Sequence, residues 1–250
     1  MRYPVMLHGF TGSSASWGDR IVDGLAASGN APVLVDLPGH GRLGGDREPG
    51  RFLLKSAMDL VERAGIWPSD LCGYSMGGRI ALHYALSRPE RVRRLVLESS
   101  SPGLETEAER SSRRTSDNDL AARIEEGGIE AFVDGWERLP LFESQAGSDP
   151  LALSRQREIR LANDPVGLAQ SLRHSGTGVL PSLWERLPEI TVPTLIVVGI
   201  LDTKFVEIGA RMCALVPHAR LVVVPDAGHC VHFERPHAWL DAVATFLSEN

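Results

Sequence analysis

The chain has 250 residues, 43% of them hydrophobic and 23% charged, with a formal net charge of −6. It is long and apolar enough to bury one large core, which excludes a disordered chain and a membrane-like composition. Acidic and basic residues are interspersed without a broad basic stripe, so a phosphate backbone meets no matching surface and nucleic acid is not an expected partner.

The first residues, Met1-Arg2-Tyr3-Pro4, form no apolar export signal, and no apolar run approaches membrane-spanning length. A cytoplasmic location without membrane contact is therefore expected. Cys72, Cys213 and Cys230 are an odd number without metal-ligand spacing, which argues against a disulfide framework and a zinc site. Cys72 and Cys230 read as packing residues.

Residues 3–7 form a short apolar run leading into His8-Gly9-Phe10-Thr11-Gly12-Ser13, a buried strand feeding a glycine-rich loop. Ser14 or Ser16 then caps a helix reaching about residue 28, with Trp17, Ile21, Leu25 and Ala26 on one face. Residues 31–36 read as a second strand, ended by the turn Leu37-Pro38-Gly39-His40-Gly41. A charged loop to Gly50 precedes a helix over 51–64 with an apolar stripe of Phe52, Leu53, Ala57, Leu60 and Val61. A strand over 70–74 runs into Ser75, followed by a helix over 76–87 that stops before Pro89 and a strand over 92–98.

From 103 to 187 no strand pattern appears, and helical spacings are interrupted by Pro140, Pro150, Pro165 and Pro181. Strand-like runs return at 194–198 and 221–224, with helices over 205–215 and 236–248. The alternation predicts an α/β fold with a mainly parallel sheet covered on both faces, because parallel neighbours need crossover connections. Residues 1–102 and 188–250 form its core, and 103–187 form a helical cap above the C-terminal strand ends, where sites in such sheets lie.

Gly73-Tyr74-Ser75-Met76-Gly77 is the G-x-S-x-G pattern of a sharp strand-to-helix turn that lifts a serine hydroxyl above the sheet. Taken alone it is equally a loop that turns the chain. Asp202 and His229 follow the last two strand-like runs, at the same sheet edge and in the order Ser, Asp, His. That order fits a triad in which His229 takes the Ser75 proton and Asp202 fixes its tautomer. Singly, Asp202 reads as a helix cap and His229 as an ordinary loop histidine.

His232 is a competing base, and with His229 it hints at a metal, but no third ligand pattern accompanies them and none is expected. The backbone N–H groups of Phe10 and Met76 are placed to converge on one oxygen as an oxyanion hole. Arg79, four residues after Ser75, shares a helix face with it and points towards the helix start, either into a pocket or into solvent. Arg113 lies in the run Arg110-Ser111-Ser112-Arg113-Arg114, which in isolation reads as a solvated face.

These residues, with Gly167-Leu168-Ala169-Gln170-Ser171-Leu172-Arg173, Gly176-Thr177-Gly178, Leu201-Asp202-Thr203-Lys204-Phe205 and Ala227-Gly228-His229-Cys230-Val231-His232, resemble the α/β-hydrolase superfamily. More narrowly, they resemble the 2-succinyl-6-hydroxy-2,4-cyclohexadiene-1-carboxylate synthases of menaquinone biosynthesis. The resemblance implies a lyase that eliminates pyruvate from 2-succinyl-5-enolpyruvyl-6-hydroxy-3-cyclohexene-1-carboxylate, with no metal or organic cofactor. It implies Ser75, His229 and Asp202 as the proton-abstracting triad, Arg79 and Arg113 as binders of a polycarboxylate substrate, and Tyr74 and Trp136 as pocket walls. Arg110 and Arg114 are alternatives to Arg113.

Competing readings are a serine esterase or carbon–carbon bond hydrolase using Ser75 as nucleophile, and a non-catalytic small-molecule receptor. A monomer or weak homo-oligomer is expected. Such folds usually carry two further strands before the His-Gly-Phe loop, so either a shorter sheet or a truncated start is expected.

Overall fold

The computed structural model describes residues 1–249. Six strands form one sheet: β1 (Val5–Leu7), β2 (Val33–Val35), β3 (Ser69–Tyr74), β4 (Val92–Glu98), β5 (Thr194–Gly199) and β6 (Ala219–Val224). All neighbours pair in parallel in the order β2-β1-β3-β4-β5-β6. The chain leaves β1 towards one edge to make β2, then crosses back to make β3 on the other side of β1. The β1/β3 boundary is therefore a topological switch point, where the loops following the two strands part and leave a crevice.

Alternation along the strands splits the apolar residues between two faces. Val5, Leu7, Leu95, Leu97, Ile196 and Val198 pack with α2 (Leu54–Ala64), α3 (Met76–Ser87) and α7 (Thr203–Leu215). Met6, Cys72, Val96, Leu195 and Val197 pack on the other face with α1 (Gly18–Ala27) and α9 (Pro236–Ser248), through Ile21, Leu25, Trp239, Val243 and Phe246. A one-turn helix, α8 (Val231–Glu234), precedes α9 and was not expected from the sequence.

Between β4 and β5 the chain is helical: α4 (Glu107–Trp136), α5 (Pro150–Leu161) and α6 (Pro165–Ser175). Thr106 and Glu109 close a reciprocal capping box at the start of α4, and α4 kinks at Gly128, whose φ is 76°. Pro150 and Pro165 do not break helices: each occupies the first turn, behind the capping carboxylates of Asp149 and Asp164. Ala121, Ile124, Phe132, Val133, Leu168, Ala169 and Leu172 form a third core between α4 and α6, and Phe10 of the β1 loop packs against it.

The first helical segment departs from expectation in its cap. Neither Ser14 nor Ser16 is the N-cap; Ser13 accepts from Ala15 N while Ser16 Oγ accepts from Ser13 N, and a 3₁₀ turn over Ser14–Trp17 leads into α1. Strand and helix ends otherwise shift by a few residues, as at α2, where a 3₁₀ turn over Pro49–Phe52 replaces the expected first turn.

Candidate active site

Ser75 joins β3 to α3 with φ 50° and ψ −107°, a region that side chains rarely enter. Close packing around the turn holds it there. A Cβ on Gly73 would stand 2.6 Å from the Gly77 carbonyl group, and one on Gly77 would strike the backbone of Leu7 and His8. The Ser75 amide is tied to Glu98 O at 2.9 Å, which leaves the hydroxyl facing out over the sheet edge.

His229 Nε2 lies 3.1 Å from Ser75 Oγ, and its Nδ1 lies 2.7 Å from Asp202 Oδ2. A carboxylate oxygen accepts, so Nδ1 carries the proton and Nε2 is free to accept from the serine hydroxyl. Asp202 is both things its sequence position suggested: it is the N-cap of α7, with Oδ1 accepting from Phe205 N, while Oδ2 holds His229. Both side chains are nearly solvent-free, at 8% and 4% exposure, which strengthens their charge-assisted hydrogen bond.

The Phe10 amide follows β1 and the Met76 amide is the first of α3, so the two flank the crevice at the switch point. Neither has a hydrogen-bond acceptor among the described residues. Unpaired donors beside a serine hydroxyl are what a developing oxyanion requires. The Phe10 loop is held from below by His8, whose Nε2 accepts from Leu37 N at 3.0 Å and whose Nδ1 meets Gly9 O at 2.8 Å. Burial pushes the His8 imidazole down to about 4 and that of neighbouring His40 to about 3, so both stay neutral near pH 7.

Arg79 rises one turn after Ser75 with its Nε out of solvent and unpartnered, and it makes no ion pair among the described residues. Desolvation, then the nearby Arg113 charge, lowers its pKa to about 10, with Asp117 opposing; the guanidinium remains charged at neutral pH. Arg113 Nε donates to Asp117 Oδ1 at 2.7 Å. Arg110 and Arg114 instead pair with Glu107 and bond the carbonyls of Leu104 and Gly178. Of the three arginines in that run, Arg113 is the one whose charge Arg79 senses.

Aromatic rings cluster beside these groups. Trp136 meets Phe10, Phe132 and Phe142 with centroids 5.3, 5.5 and 5.9 Å apart, and its buried Nε1 has no acceptor among the described residues. Tyr74 packs against His229 at 5.5 Å and His232 at 4.9 Å, and burial pushes its phenol well up. Arg160, which the sequence did not single out, is buried over the Phe142 ring, pairs with Glu137 at 2.9 Å, and exerts its charge on Tyr74. No local pattern marks it.

His232 is not a second base for Ser75. Its Nδ1 lies 2.8 Å from Glu98, its amide donates to the same carboxylate, and its ring packs on Trp17 at 4.5 Å. Burial opposes its protonated form, but the neighbouring Cys230 and Glu98 favour it and prevail, so its pKa is raised. Among the described residues Glu98, Cys230 and His232 are the group close enough to share a metal ion. Their donor atoms are already committed to one another.

The alpha/beta hydrolase family matches residues 5–242. A Bacillus subtilis relative, provisionally named 2-succinyl-6-hydroxy-2,4-cyclohexadiene-1-carboxylate synthase, is 41% identical over 248 residues, 98% of this chain and 89% of its own length. The synthase of that name from Citrobacter koseri is 32% identical over 250 residues, 97% of this chain and 92% of its own. The solved structure of MenH from S. aureus superposes with a TM-score of 0.90 at 35% identity, over 98% of this chain and 93% of that one. Near-complete coverage at these identities, on the fold and serine turn described above, means that the chain belongs to the alpha/beta hydrolase family and, within it, to the 2-succinyl-6-hydroxy-2,4-cyclohexadiene-1-carboxylate synthases.

Proposed function

We infer that the protein eliminates pyruvate from 2-succinyl-5-enolpyruvyl-6-hydroxy-3-cyclohexene-1-carboxylate, forming 2-succinyl-6-hydroxy-2,4-cyclohexadiene-1-carboxylate in menaquinone biosynthesis. The observation that carries the reading is Arg79: a charged, partly desolvated guanidinium without a carboxylate partner among the described residues, one helical turn from a serine in triad geometry. A simple ester has no use for such a group. A substrate with several carboxylates does, because charge-assisted bonds to guanidinium fix its orientation.

In this reading Ser75 Oγ, its proton passed to His229, removes the ring hydrogen at C2, which the adjacent succinyl carbonyl acidifies. The freed electron pair becomes the C2=C3 bond, the former C3=C4 pair becomes C4=C5, and the C5–O bond breaks to release the enolate of pyruvate, whose protonation balances the proton taken up by His229. Charge gathering on the succinyl carbonyl oxygen is met by the Phe10 and Met76 amides, and one such donor is typically worth about 3 kcal/mol. Arg79 and Arg113 hold carboxylates, with Tyr74 and Trp136 as walls. Asp202 keeps the imidazole in the accepting tautomer and stabilises the imidazolium. The substrate is a water-soluble polycarboxylate, so the same reading puts the enzyme in the cytoplasm, and a monomer suffices for it.

The triad geometry equally suits a hydrolase in which Ser75 is the nucleophile. Incubating purified protein with the enolpyruvyl substrate and following pyruvate separates the two. Pyruvate release with no mass increment on the protein supports the lyase. Absent pyruvate, with simple esters turned over through an acyl adduct on Ser75, makes it a hydrolase.

A further inference from the structure

One buried carboxylate outside the triad folds back onto the loop that carries His229. Glu234, the last residue of α8 and 7% exposed, turns its side chain back along that single helical turn. Its Oε2 accepts the Gly228 amide at 2.6 Å and its Oε1 accepts the Cys230 amide at 3.1 Å. Those are the amides on either side of His229. Two residues further on, the His232 amide donates to Glu98 Oε1 at 3.0 Å. Every second amide from 228 to 232 therefore ends on a buried carboxylate.

The arrangement matters because His229 must meet two partners from different elements at once, Asp202 at 2.7 Å and Ser75 at 3.1 Å. An imidazole has two side-chain torsions, so the position of its backbone decides whether both contacts close. The loop entering it has little regular structure of its own: Asp226 sits at φ 54°. A Cβ on Gly228 would stand 3.2 Å from Glu234 Oε2 and strike the Ser144 side chain of the helical insertion, so the loop is close-packed from two sides.

We propose that Glu234 is a positioning residue for His229, its carboxylate spanning the base and fixing the backbone on both sides so that the imidazole reaches Asp202 and Ser75 together. Bonds from N–H to a buried carboxylate are short and strong, and one bidentate group fixes two of them in a single geometry. A glutamine would keep the shape but turn an NH2 group towards one of the two amides. An aspartate would keep the charge but fall one methylene short of bridging both.

The proposal rests on His229 acting as the base, so its test has two readouts. One is kcat and KM for pyruvate release. The other is the low-field proton resonance of His229 Nδ1–H, identified by its loss in Asp202→Asn. Glu234→Gln should lower kcat at least tenfold with KM within twofold, and shift or broaden the resonance; Glu234→Asp should do the same to a smaller extent. Val61→Ala, in the core beneath the opposite sheet face, should lower Tm and leave both readouts alone. A folded Glu234→Gln with wild-type kcat and an unchanged resonance overturns the proposal, as does a loss that Val61→Ala reproduces at equal Tm. Should Glu234→Gln not fold, Glu234→Asp decides by the same two readouts. Should the wild type release no pyruvate, the function reading fails while the resonance still decides the positioning role.

Discussion

Ser75 is held by its neighbours in a backbone conformation it would not choose, and what it gains is position: a hydroxyl above the sheet, an imidazole at 3.1 Å and the first amides of α3 beside it. The G-x-S-x-G spacing makes this legible in sequence because the steric requirement is local. That Asp202 and His229 would lie beside Ser75 was legible through their placement just past strand ends, and Asp202 is also the helix cap its position offered. Arg113 was preferred to Arg110 and Arg114 only through the family resemblance, because the run itself does not say which partners the three take: Glu107 and Gly178 for Arg110 and Arg114, Asp117 for Arg113. Arg160 and Glu234 were missed for the same reason: their contacts come from Phe142 and Glu137 in one case and from the Gly228 amide in the other. Arg79→Ala should lower kcat/KM by at least about 10-fold, the roughly 1.5 kcal/mol of one hydrogen bond to a charged group. Steady-state kinetics check this, and a wild-type kcat/KM would remove Arg79 from the substrate's carboxylates.

The helical insertion shows how far periodicity reaches at the level of elements. A helical stretch between β4 and β5 was readable, but Pro150 and Pro165 looked like interruptions when they are starts, because a proline in the first turn gives up no helical hydrogen bond. The short α8 was invisible because four residues carry no period. Attachment of the insertion to the sheet was equally unreadable, and Asn163 supplies part of it. Between α5 and α6, its Nδ2 donates to Thr11 O at 2.8 Å and its Oδ1 accepts from Gly41 N at 3.2 Å. One buried amide thus joins the insertion to the Phe10 loop and to the turn after β2. Asn163→Ala leaves these groups unpaired and should destabilise the protein by about 1–3 kcal/mol in urea unfolding. It should also lower kcat, because Thr11 adjoins the Phe10 amide; an unchanged kcat would uncouple that tether from the oxyanion site.

Across the molecule, the switch point at β1/β3 explains why the Phe10 loop and the Ser75 turn lie side by side although 65 positions of sequence separate Phe10 from Ser75, the strands before them pairing Leu7 with Gly73. The parallel sheet was readable from alternating strands and helices. Among the described residues it runs from β2 at one edge to β6 at the other. Burial of histidines also gives the whole fold a pH response. His8 and His83 are lowered to about 4 and His40 to about 3, desolvation being the largest cause in each. The unfolded chain protonates these groups near 6.5. It therefore binds more protons than the native state between 6.5 and 4, and stability falls as pH falls through that window. Each group contributes up to about 1.4 kcal/mol per pH unit. His232 is shifted the other way, so its stabilising contribution is fully present below 6.5 and does not offset the fall. Urea unfolding at pH 7 and pH 5 should register a clear loss at pH 5, and equal stabilities would mean the three imidazoles are charged in the native protein.

In the proposed elimination Ser75 works as a relayed base. The most direct test of this role is pyruvate release from the enolpyruvyl substrate by the wild type and by Ser75→Ala at equal folded concentration. The wild type should release one pyruvate for each cyclohexadiene formed, and Ser75→Ala should show no turnover above background. A folded wild type that releases no pyruvate, or a Ser75→Ala variant that releases it at the wild-type rate, would contradict it.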